Sequence, residues 1–251
     1  MSENESVSHQ AKLNIEKRRM EPVGRNLVVK NVERLGSQML RVTLAGEELA
    51  GFNSPSPDDH IKVSFPTADG GIEKRDYTPR RFDAKAQSLT IDFALHNGGV
   101  GAEWAEKAKP GDPLRIAGPR GSTVISAPGA WWLLIGDETA LPSIGRRLEE
   151  MAEGTRVISV AAVVDADEEQ QFETKANHTA YWIHRPDTQA TEAEPLLKAL
   201  SKLELPTGPG FIWIAAEGEV ARSVRAYFVD TLNHPPEWIK AAAYWSQNPE
   251  E

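Results

Sequence analysis

The 251-residue sequence contains no cysteine, and its six histidines are scattered along the chain. Without cysteine there is no disulfide, no thiolate nucleophile and no cysteine-ligated zinc or iron–sulfur site. No two histidines form an HExxH pair, so we expect no protein-ligated metal. Any redox chemistry would therefore depend on a bound organic cofactor.

Long hydrophobic runs are also absent. The longest, such as WWLLIG and VISVAAVV, are far too short to cross a bilayer. Residues 1–19 are polar, contain no apolar signal core and are expected to form a frayed leader. These features predict a cytoplasmic protein that does not insert into a membrane.

Basic residues are in the minority, with 28 Lys and Arg against 37 Asp and Glu, a formal net charge of -9. Such a balance argues against nucleic-acid binding, which needs a basic surface. The sequence also has no GxxxxGK[ST] phosphate loop and no GxSxG nucleophile elbow. Against this background, the three arginines of RDYTPRRFD (residues 75–83) indicate a local site for an anion.

The pattern of the sequence changes near Pro128. Before it, short runs such as MLRVTLAG and HIKVSFP alternate apolar and polar residues between turn signals, which predicts an antiparallel sheet or barrel. After it, continuous apolar strands such as WWLLIG and GFIWIAAE alternate with helical segments, which predicts a parallel α/β sheet. We therefore predict a β domain over residues 20–127 and an α/β domain over residues 128–251.

The stretch RDYTPRR has the composition of a phosphate and ring site. On a strand, Arg75 and Tyr77 face one side while Thr78 and Arg80 face the other. Guanidinium forks suit a phosphate pair, Tyr77 could stack on a flat ring, and Thr78 could bond to the heteroatoms of that ring. The alternative is an exposed edge strand whose arginines are solvated.

A glycine cluster in HNGGVGAEWA precedes a predicted helix. Free N–H groups at such a helix start, together with the helix dipole, favour an anion. The cluster could equally be a flexible turn, and His96 could contact a ligand or cap the preceding strand.

The predicted carboxyl ends of two parallel strands, GDETALP and AAEGE, would border a cleft between the domains. Asp137, Glu138 and Thr139 could cap the next helix, or could approach the uncharged face of a cofactor. Glu217 and Glu219 could complement a helix dipole or lie beside a nicotinamide.

Taken together, RDYTPRRFD, LTIDFALHNGGVGAEWAEKAKPGD, IAGPRGS, WLLIGDETALPSIGRRLE, FIWIAAEGEVARSVRAYF and AAAYW resemble the siderophore-interacting proteins. This bacterial family is a branch of the ferredoxin reductase-like flavoproteins, and the resemblance extends from about residue 20 to the end. It implies a six-stranded antiparallel FAD-binding barrel followed by a nicotinamide-binding-like α/β domain.

The resemblance also implies roles for single residues. Tyr77 and Thr78 would meet the isoalloxazine and ribityl, an arginine of the first stretch would meet the pyrophosphate, and Thr139 would close over the cofactor. The whole implied FAD-binding set is Arg75, Tyr77, Thr78, Phe93, Leu95, His96, Gly101, Ala102, Trp104, Thr139 and Ala140. Candidates for binding an anionic ferric substrate are Lys62, Arg80, Arg115 and Arg120.

The implied activity is reduction of ferric siderophores or ferric chelates, with electrons passing from NAD(P)H or a ferredoxin through FAD. Such electron transfer needs no catalytic side chain. We expect a monomer. The sequence shows no clear basic pair that would recognise the 2′-phosphate of NADPH.

The closing stretch departs from the Gly-Tyr-Trp-Arg of the family, because Ala243 and Ser246 replace its glycine and arginine. A hydroxamate or citrate-like ferric substrate is then favoured over a strongly anionic one. Two further functions remain open: a non-catalytic flavin or siderophore-binding protein, and a general NAD(P)H flavin reductase.

Overall fold

The computed structural model describes residues 12–67, 69–95 and 99–247. The first half is an antiparallel β domain. Its elements are β1 (Asn14–Arg19), β2 (Gly24–Arg34), β3 (Met39–Ala45), β4 (Ile61–Pro66), β5 (Ile72–Tyr77), β6 (Arg81–Asp83), β7 (Ser88–Ala94), α1 (Val100–Lys107), β8 (Pro113–Ala117) and β9 (Gly121–Ser126).

Seven of these strands form one antiparallel sheet in the order β5-β4-β8-β2-β3-β7-β6. The predicted antiparallel domain is confirmed, but the sheet has seven strands where six were expected. Alternate residues are buried in inner strands such as β4, and the buried side chains of the sheet form a core that includes Val42, Ile61, Phe65 and Phe93.

The predicted frayed leader is wrong for its last six residues. They form β1, which pairs with β9 from Asn14 opposite Ser126 to Arg19 opposite Gly121. All six side chains of β1 are exposed, so the ladder of backbone hydrogen bonds holds this strand rather than apolar burial. Residues 1–11 of the leader lie outside the described part of the chain.

The second half is the predicted parallel α/β domain. Its elements are β10 (Trp131–Gly136), α2 (Leu141–Glu150), β11 (Arg156–Val163), β12 (Asn177–His184), α3 (Glu194–Leu200), β13 (Gly210–Glu217), α4 (Gly218–Ala226) and β14 (Ile239–Trp245). A π-helical turn, Tyr227–Thr231, continues α4. All pairs in the sheet are parallel, in the order β12-β11-β10-β13-β14.

The strand order reverses beside β10. The chain runs from β10 outward through β11 and β12, then returns to place β13 on the other side of β10. The carboxyl ends of β10 and β13 therefore border a crevice, the usual ligand position in an open α/β sheet. None of the helices in the described residues is both long and apolar enough to span a membrane.

Polar contacts between buried or half-buried groups join the two domains. Arg80 of the β domain donates to Glu149 of α2 at 2.8 and 2.5 Å. Arg146 of α2 donates in return to the backbone oxygens of Ser54, at 2.6 Å, and Pro79, at 3.1 Å. These bonds fix the orientation of the crevice relative to the β domain.

Candidate functional site: a cleft between the domains

A cleft of about 1010 Å³ lies between the β domain and the α/β domain. Its β-domain wall comes from β1, the loop before β4, β5, the start of α1 and the start of β9. Its other wall comes from the turn after β10 and from β14 with the residue that follows it. The cleft therefore joins the two motifs, RDYT and GDETALP, that the sequence placed on opposite sides of a cofactor.

Tyr77 and Gly101 form the most closely fitted contact of the cleft. The Tyr77 ring packs 4.5 Å from Phe93 and 5.9 Å from Phe65, which fixes its direction. A Cβ added at Gly101, in the first turn of α1, would overlap the Tyr77 hydroxyl. Only glycine lets the helix start approach this close. Burial raises the pKa of the Tyr77 hydroxyl, which therefore keeps its proton.

The start of α1 supplies an anion site. Gly99, Val100 and Gly101 all line the cleft, and no side chain of the described residues caps the helix at Gly99. Within the described residues no side chain takes up the first N–H groups of the helix, so they can donate to a ligand, and the helix dipole favours negative charge there.

Cationic side chains reach the cleft from β1, β4 and β5. Arg75 lies on β5 with its side chain 55% exposed and paired with Glu73. Lys62 of β4 pairs with Asp76 at 2.6 Å. The other cations on this wall are Lys74, Lys17 and Arg18.

Three hydroxyls form a buried chain across the domain boundary. Thr78 Oγ1 and Ser143 Oγ share a hydrogen bond of 3.0 Å, and Ser143 Oγ shares another of 2.7 Å with the Tyr244 hydroxyl. Thr78 therefore has its position set by α2 and β14, and a ring lying against Thr78 would also meet the α/β domain.

Asp137 organises the turn after β10. It accepts hydrogen bonds from Thr139 N at 2.9 Å, Glu217 N at 3.0 Å and Trp245 Nε1 at 2.8 Å. Glu217 in turn caps α4 by accepting from the backbone N–H groups of Glu219 and Val220. Asp137 thus caps the short 3-10 turn Glu138–Ala140 and not α2, which has no side-chain cap, whereas Glu217 caps α4 directly.

Asp58 is a site residue that the sequence did not indicate. Its buried carboxylate accepts from Arg147 Nη2 at 2.9 Å and from Trp213 Nε1 at 3.1 Å, and it pairs with Lys240 on β14. Burial opposes the charged form, but Arg147 and Lys240 outweigh it and lower the pKa of Asp58 to about 2. The loop that carries Asp58 shows no periodicity, so the sequence held no signal for it.

Glu138 and Arg185 form a second pair that the sequence missed. Arg185 Nη2 donates to Glu138 Oε2 at 2.8 Å, and Glu138 lines the cleft. Burial and the neighbouring Asp137 raise the pKa of Glu138 to about 7, in spite of the arginine. Arg185 directly follows β12, at the carboxyl end of that strand.

The structure separates the predicted cofactor set into two groups. Arg75, Tyr77, Thr78, Gly101 and Thr139 line the cleft. The others lie behind its wall: Phe93, Ala102 and Ala140 are buried, and Leu95 and Trp104 pack against the core of the β domain. His96 lies outside the described residues.

Of the four predicted substrate cations, Lys62 lines the cleft and the other three do not. Arg80 is 4% exposed and paired with Glu149, so it holds the domains together. Arg115 donates to Asn26 Oδ1 at 3.0 Å, away from the cleft, and Arg120 is exposed. Lys240 and Ser246 line the opposite wall instead.

Comparison with known proteins agrees with this architecture. Residues 129–248 match the family described as "Siderophore-interacting protein", and residues 28–74 and 72–123 match "Siderophore-interacting FAD-binding domain".

Among curated proteins, the chain is 35% identical over 242 residues to the "NADPH-dependent ferric-chelate reductase" of Escherichia coli (strain K12), covering 88% of this chain and 92% of that protein. It is 29% identical over 239 residues to the "Ferric vibriobactin reductase ViuB" of Vibrio cholerae serotype O1, covering 86% and 87%.

Among solved structures, a siderophore utilization protein from T. fusca is similar with a TM-score of 0.85 and 34% identity, over 94% of this chain and 97% of that one. The siderophore-interacting protein SipS from Aeromonas hydrophila is similar with a TM-score of 0.76 and 26% identity, over 92% and 99%. The chain belongs to the siderophore-interacting protein family.

Proposed function

We propose that the protein is an FAD-dependent reductase of ferric siderophores or ferric chelates. Electrons come from NAD(P)H or a ferredoxin, and iron leaves as Fe(II). The observation that carries the proposal is the cleft in which Tyr77 and Thr78 lie beside the start of α1. The names of the relatives from Escherichia coli and Vibrio cholerae support the same activity.

The residues of the cleft fit an FAD. The first turn of α1 and Arg75 suit the pyrophosphate, because free N–H groups and a guanidinium both stabilise its charge. Tyr77 and Thr78 suit the ring and the ribityl chain, and Thr139 approaches from the other domain. The Tyr77 hydroxyl remains a donor because burial raises its pKa.

The side chains of this protein position and shield the reactants. Bound FAD supplies the redox chemistry, taking up electrons in a pair from a nicotinamide and releasing them singly to Fe(III). Electron transfer between closely placed groups needs no acid, base or nucleophile from the protein. The hydroxyl chain from Thr78 to Tyr244 and the bonds of Asp137 hold both walls in place.

The charge of the cleft favours a weakly charged ferric substrate. Among the described lining residues, six basic side chains stand against five acidic ones, before the two negative charges of an FAD pyrophosphate are added. Lys62 and Lys240 are already paired with Asp76 and Asp58. With Ser246 in place of the arginine of the family, a ferric hydroxamate suits the cleft better than a strongly anionic catecholate.

One alternative is supported by the same departure at Ser246: a protein that binds flavin or siderophore without turnover. Steady-state reduction of a ferric chelate eliminates this alternative. A general flavin reductase would show no preference for ferric acceptors over oxygen or quinones. A cytoplasmic location, a monomeric state and the use of a ferredoxin belong to the proposal as well.

The first test is the absorption spectrum of the freshly purified protein, followed by the mass of the compound that heat releases. We expect flavin bands and the mass of FAD. A colourless protein that also fails to bind added FAD would contradict the proposed function at its basis.

A further inference from the structure

The strand β1 brings two basic side chains to the cleft from a part of the chain that no motif indicated. Lys17 and Arg18 both line the cleft, and both precede residue 28, where the match to the FAD-binding family model begins. All six side chains of β1 are exposed. Because the backbone ladder with β9 holds the strand, these side chains are available to a ligand.

The register of β1 directs Lys17 toward the α/β domain. Lys17 is opposite Thr123 of β9, and directly opposed residues of an antiparallel pair lie on the same face. Ile125, two residues along β9, shares this face and packs against a core cluster of the α/β domain. Thr123 lines the cleft, and its backbone oxygen accepts a hydrogen bond of 2.9 Å from Ser56 Oγ. Lys17 therefore reaches the cleft at the end where the loop that carries Ser56 and Asp58 lies.

Lys17 carries a positive charge that the protein leaves unpaired. Of the six basic side chains that line the cleft, four form an ion pair with an acid: Arg18, Lys62, Arg75 and Lys240. Within the described residues, Lys17 and Lys74 have no such partner. Lys74 lies beside Arg75 on β5, the strand to which we assign the FAD pyrophosphate. Lys17 is thus the unpaired cation at the other end of the cleft.

The acids of the cleft do not neutralise Lys17. Four of the five that line it have a cation of their own: Asp58, Asp76, Asp92 and Glu138. The fifth, Asp59, is 3% exposed and accepts hydrogen bonds of 3.0 Å from Ser54 Oγ and Ser56 N. Ser246, where the family has an arginine, adds no charge. A substrate at this end of the cleft therefore meets a single available positive charge, on Lys17.

We propose that Lys17 is a specificity-determining residue that binds a negatively charged tail of the ferric chelate. A ferric hydroxamate with one free carboxylate is then preferred over one with a free ammonium. The lysine ammonium is a compact charge on a flexible stem, so it can follow a carboxylate at the end of a flexible tail. This inference rests on the proposed function, because it names the class of substrate within that function.

A set of chelates with one iron centre and different tails isolates this effect. Ferrioxamine B ends in an ammonium, its N-acetyl derivative is neutral, and its N-succinyl derivative ends in a carboxylate. The dithionite-reduced, FAD-loaded protein is mixed anaerobically with each chelate at several concentrations, which gives an apparent Kd and a limiting rate of reoxidation. We expect the succinyl form to bind most tightly and the ammonium form least tightly, in steps of about threefold, the size of an exposed ion pair. Added salt should weaken this order.

Variants of Lys17 assign the preference to this side chain. In Lys17→Gln the succinyl form should lose about threefold in affinity, while the limiting rate stays at the wild-type value. Lys17→Arg should keep the order of the three chelates, and Lys17→Glu should reverse it. Lys30→Gln removes the same charge from an exposed position on β2, outside the residues that line the cleft, and should keep the order. The wild-type order in Lys17→Gln, or its loss in Lys30→Gln as well, overturns the inference.

A binding measurement separates this inference from the proposed function. The gallium(III) forms of the same chelates accept no electron from the flavin, and calorimetric titration of the oxidised, FAD-loaded protein gives their affinities. We expect the same order in the wild type and its loss in Lys17→Gln. If the gallium forms bind in this order but the iron forms do not reoxidise the flavin, the proposed reductase function fails while the role of Lys17 stands. A wild type that binds the three gallium chelates without order, or binds none of them, overturns the inference even where iron is reduced.

Discussion

Asp58 of the β domain and Arg147 of the α/β domain form a buried ion pair, with Asp58 Oδ1 lying 2.9 Å from Arg147 Nη2. Both side chains are at least nine-tenths buried. Lys240 adds a second positive charge to the same carboxylate and reaches the cleft from the opposite wall. One acid therefore links the domain boundary to the cofactor cleft.

Removing this acid should destabilise the protein strongly. Asp58→Asn leaves the Arg147 charge buried without a partner, which costs about 3–5 kcal/mol in comparable pairs. We expect urea unfolding of the apoprotein to show a loss of this order. Asp187→Asn, in an exposed turn, serves as the control and should change the unfolding free energy little. A loss below about 1 kcal/mol for Asp58→Asn would contradict the role assigned to the pair.

The same acid gives a defined dependence of stability on pH. Its pKa falls from 3.8 to about 2 on folding. The stabilisation is therefore complete above about pH 4 and is lost as the pH falls toward 2, amounting to about 2 kcal/mol. The difference in unfolding free energy between the wild type and Asp58→Asn should shrink over this range.

Glu138 should show the opposite dependence. Burial and Asp137 raise its pKa from 4.5 to about 7, so the folded state holds the proton more tightly than the unfolded chain. The contribution of Glu138 is complete below about pH 4.5 and is lost as the pH rises through 7, by about 3 kcal/mol. Urea unfolding at several values between pH 5 and pH 8 should show this decline in the wild type and a flatter curve in Glu138→Gln. Parallel curves would refute the assignment.

Gly101→Ala should weaken FAD binding by about tenfold or more, because the new methyl group overlaps the Tyr77 hydroxyl and must displace either the ring or the helix start. Fluorescence quenching during FAD titration measures the loss. The double variant Gly101→Ala/Tyr77→Phe removes the overlapping oxygen and should recover part of the affinity. Glu106→Ala, exposed on the same helix, is the matched control. Full FAD affinity in Gly101→Ala would show that the cofactor does not use this contact.

Arg75→Ala tests the proposed role of the stretch RDYTPRRFD in binding the FAD pyrophosphate. A charge-assisted bond to the pyrophosphate contributes about 1.5–3 kcal/mol, so the FAD dissociation constant should rise about 10- to 100-fold. The effect should diminish at high salt, because the side chain is more than half exposed. Arg81→Ala removes a neighbouring exposed arginine outside the cleft and should retain FAD. If Arg75→Ala binds FAD as tightly as Arg81→Ala and the wild type do, Arg75 has no role in binding it.

The sequence predicted both domains because their patterns are local. Apolar runs such as WWLLIG in β10 bury every residue, and alternation in β4 follows its buried and exposed faces. In contrast, β1 consists of exposed polar residues and depends on backbone pairing with a strand about a hundred residues later in the chain. No local pattern reports such a pairing, so this strand was mistaken for a frayed leader.

The sequence predicted those cleft residues that belong to one recognisable motif. It did not predict pairs of residues that are distant in the sequence and meet only in the folded protein. The residues from Arg75 to Thr78 and the glycine at position 101 were indicated by a single stretch each, and the structure brings them together. Alternation placed Arg75 and Arg80 on opposite faces but could not tell which face meets the α/β domain. Arg80 pairs with Glu149 of the α/β domain, 69 residues away in the sequence. Asp58 pairs with Lys240, 182 residues away.

The central claim is that FAD held in this cleft passes electrons to a ferric chelate. The most direct measurement mixes the dithionite-reduced, FAD-loaded protein with a ferric hydroxamate under anaerobic conditions and follows the return of flavin absorbance and the formation of Fe(II). The account predicts reoxidation well above the rate of free reduced FAD, with two Fe(II) formed per flavin. Reoxidation no faster than that of free flavin, with ferric hydroxamate, citrate and catecholate alike, would contradict it.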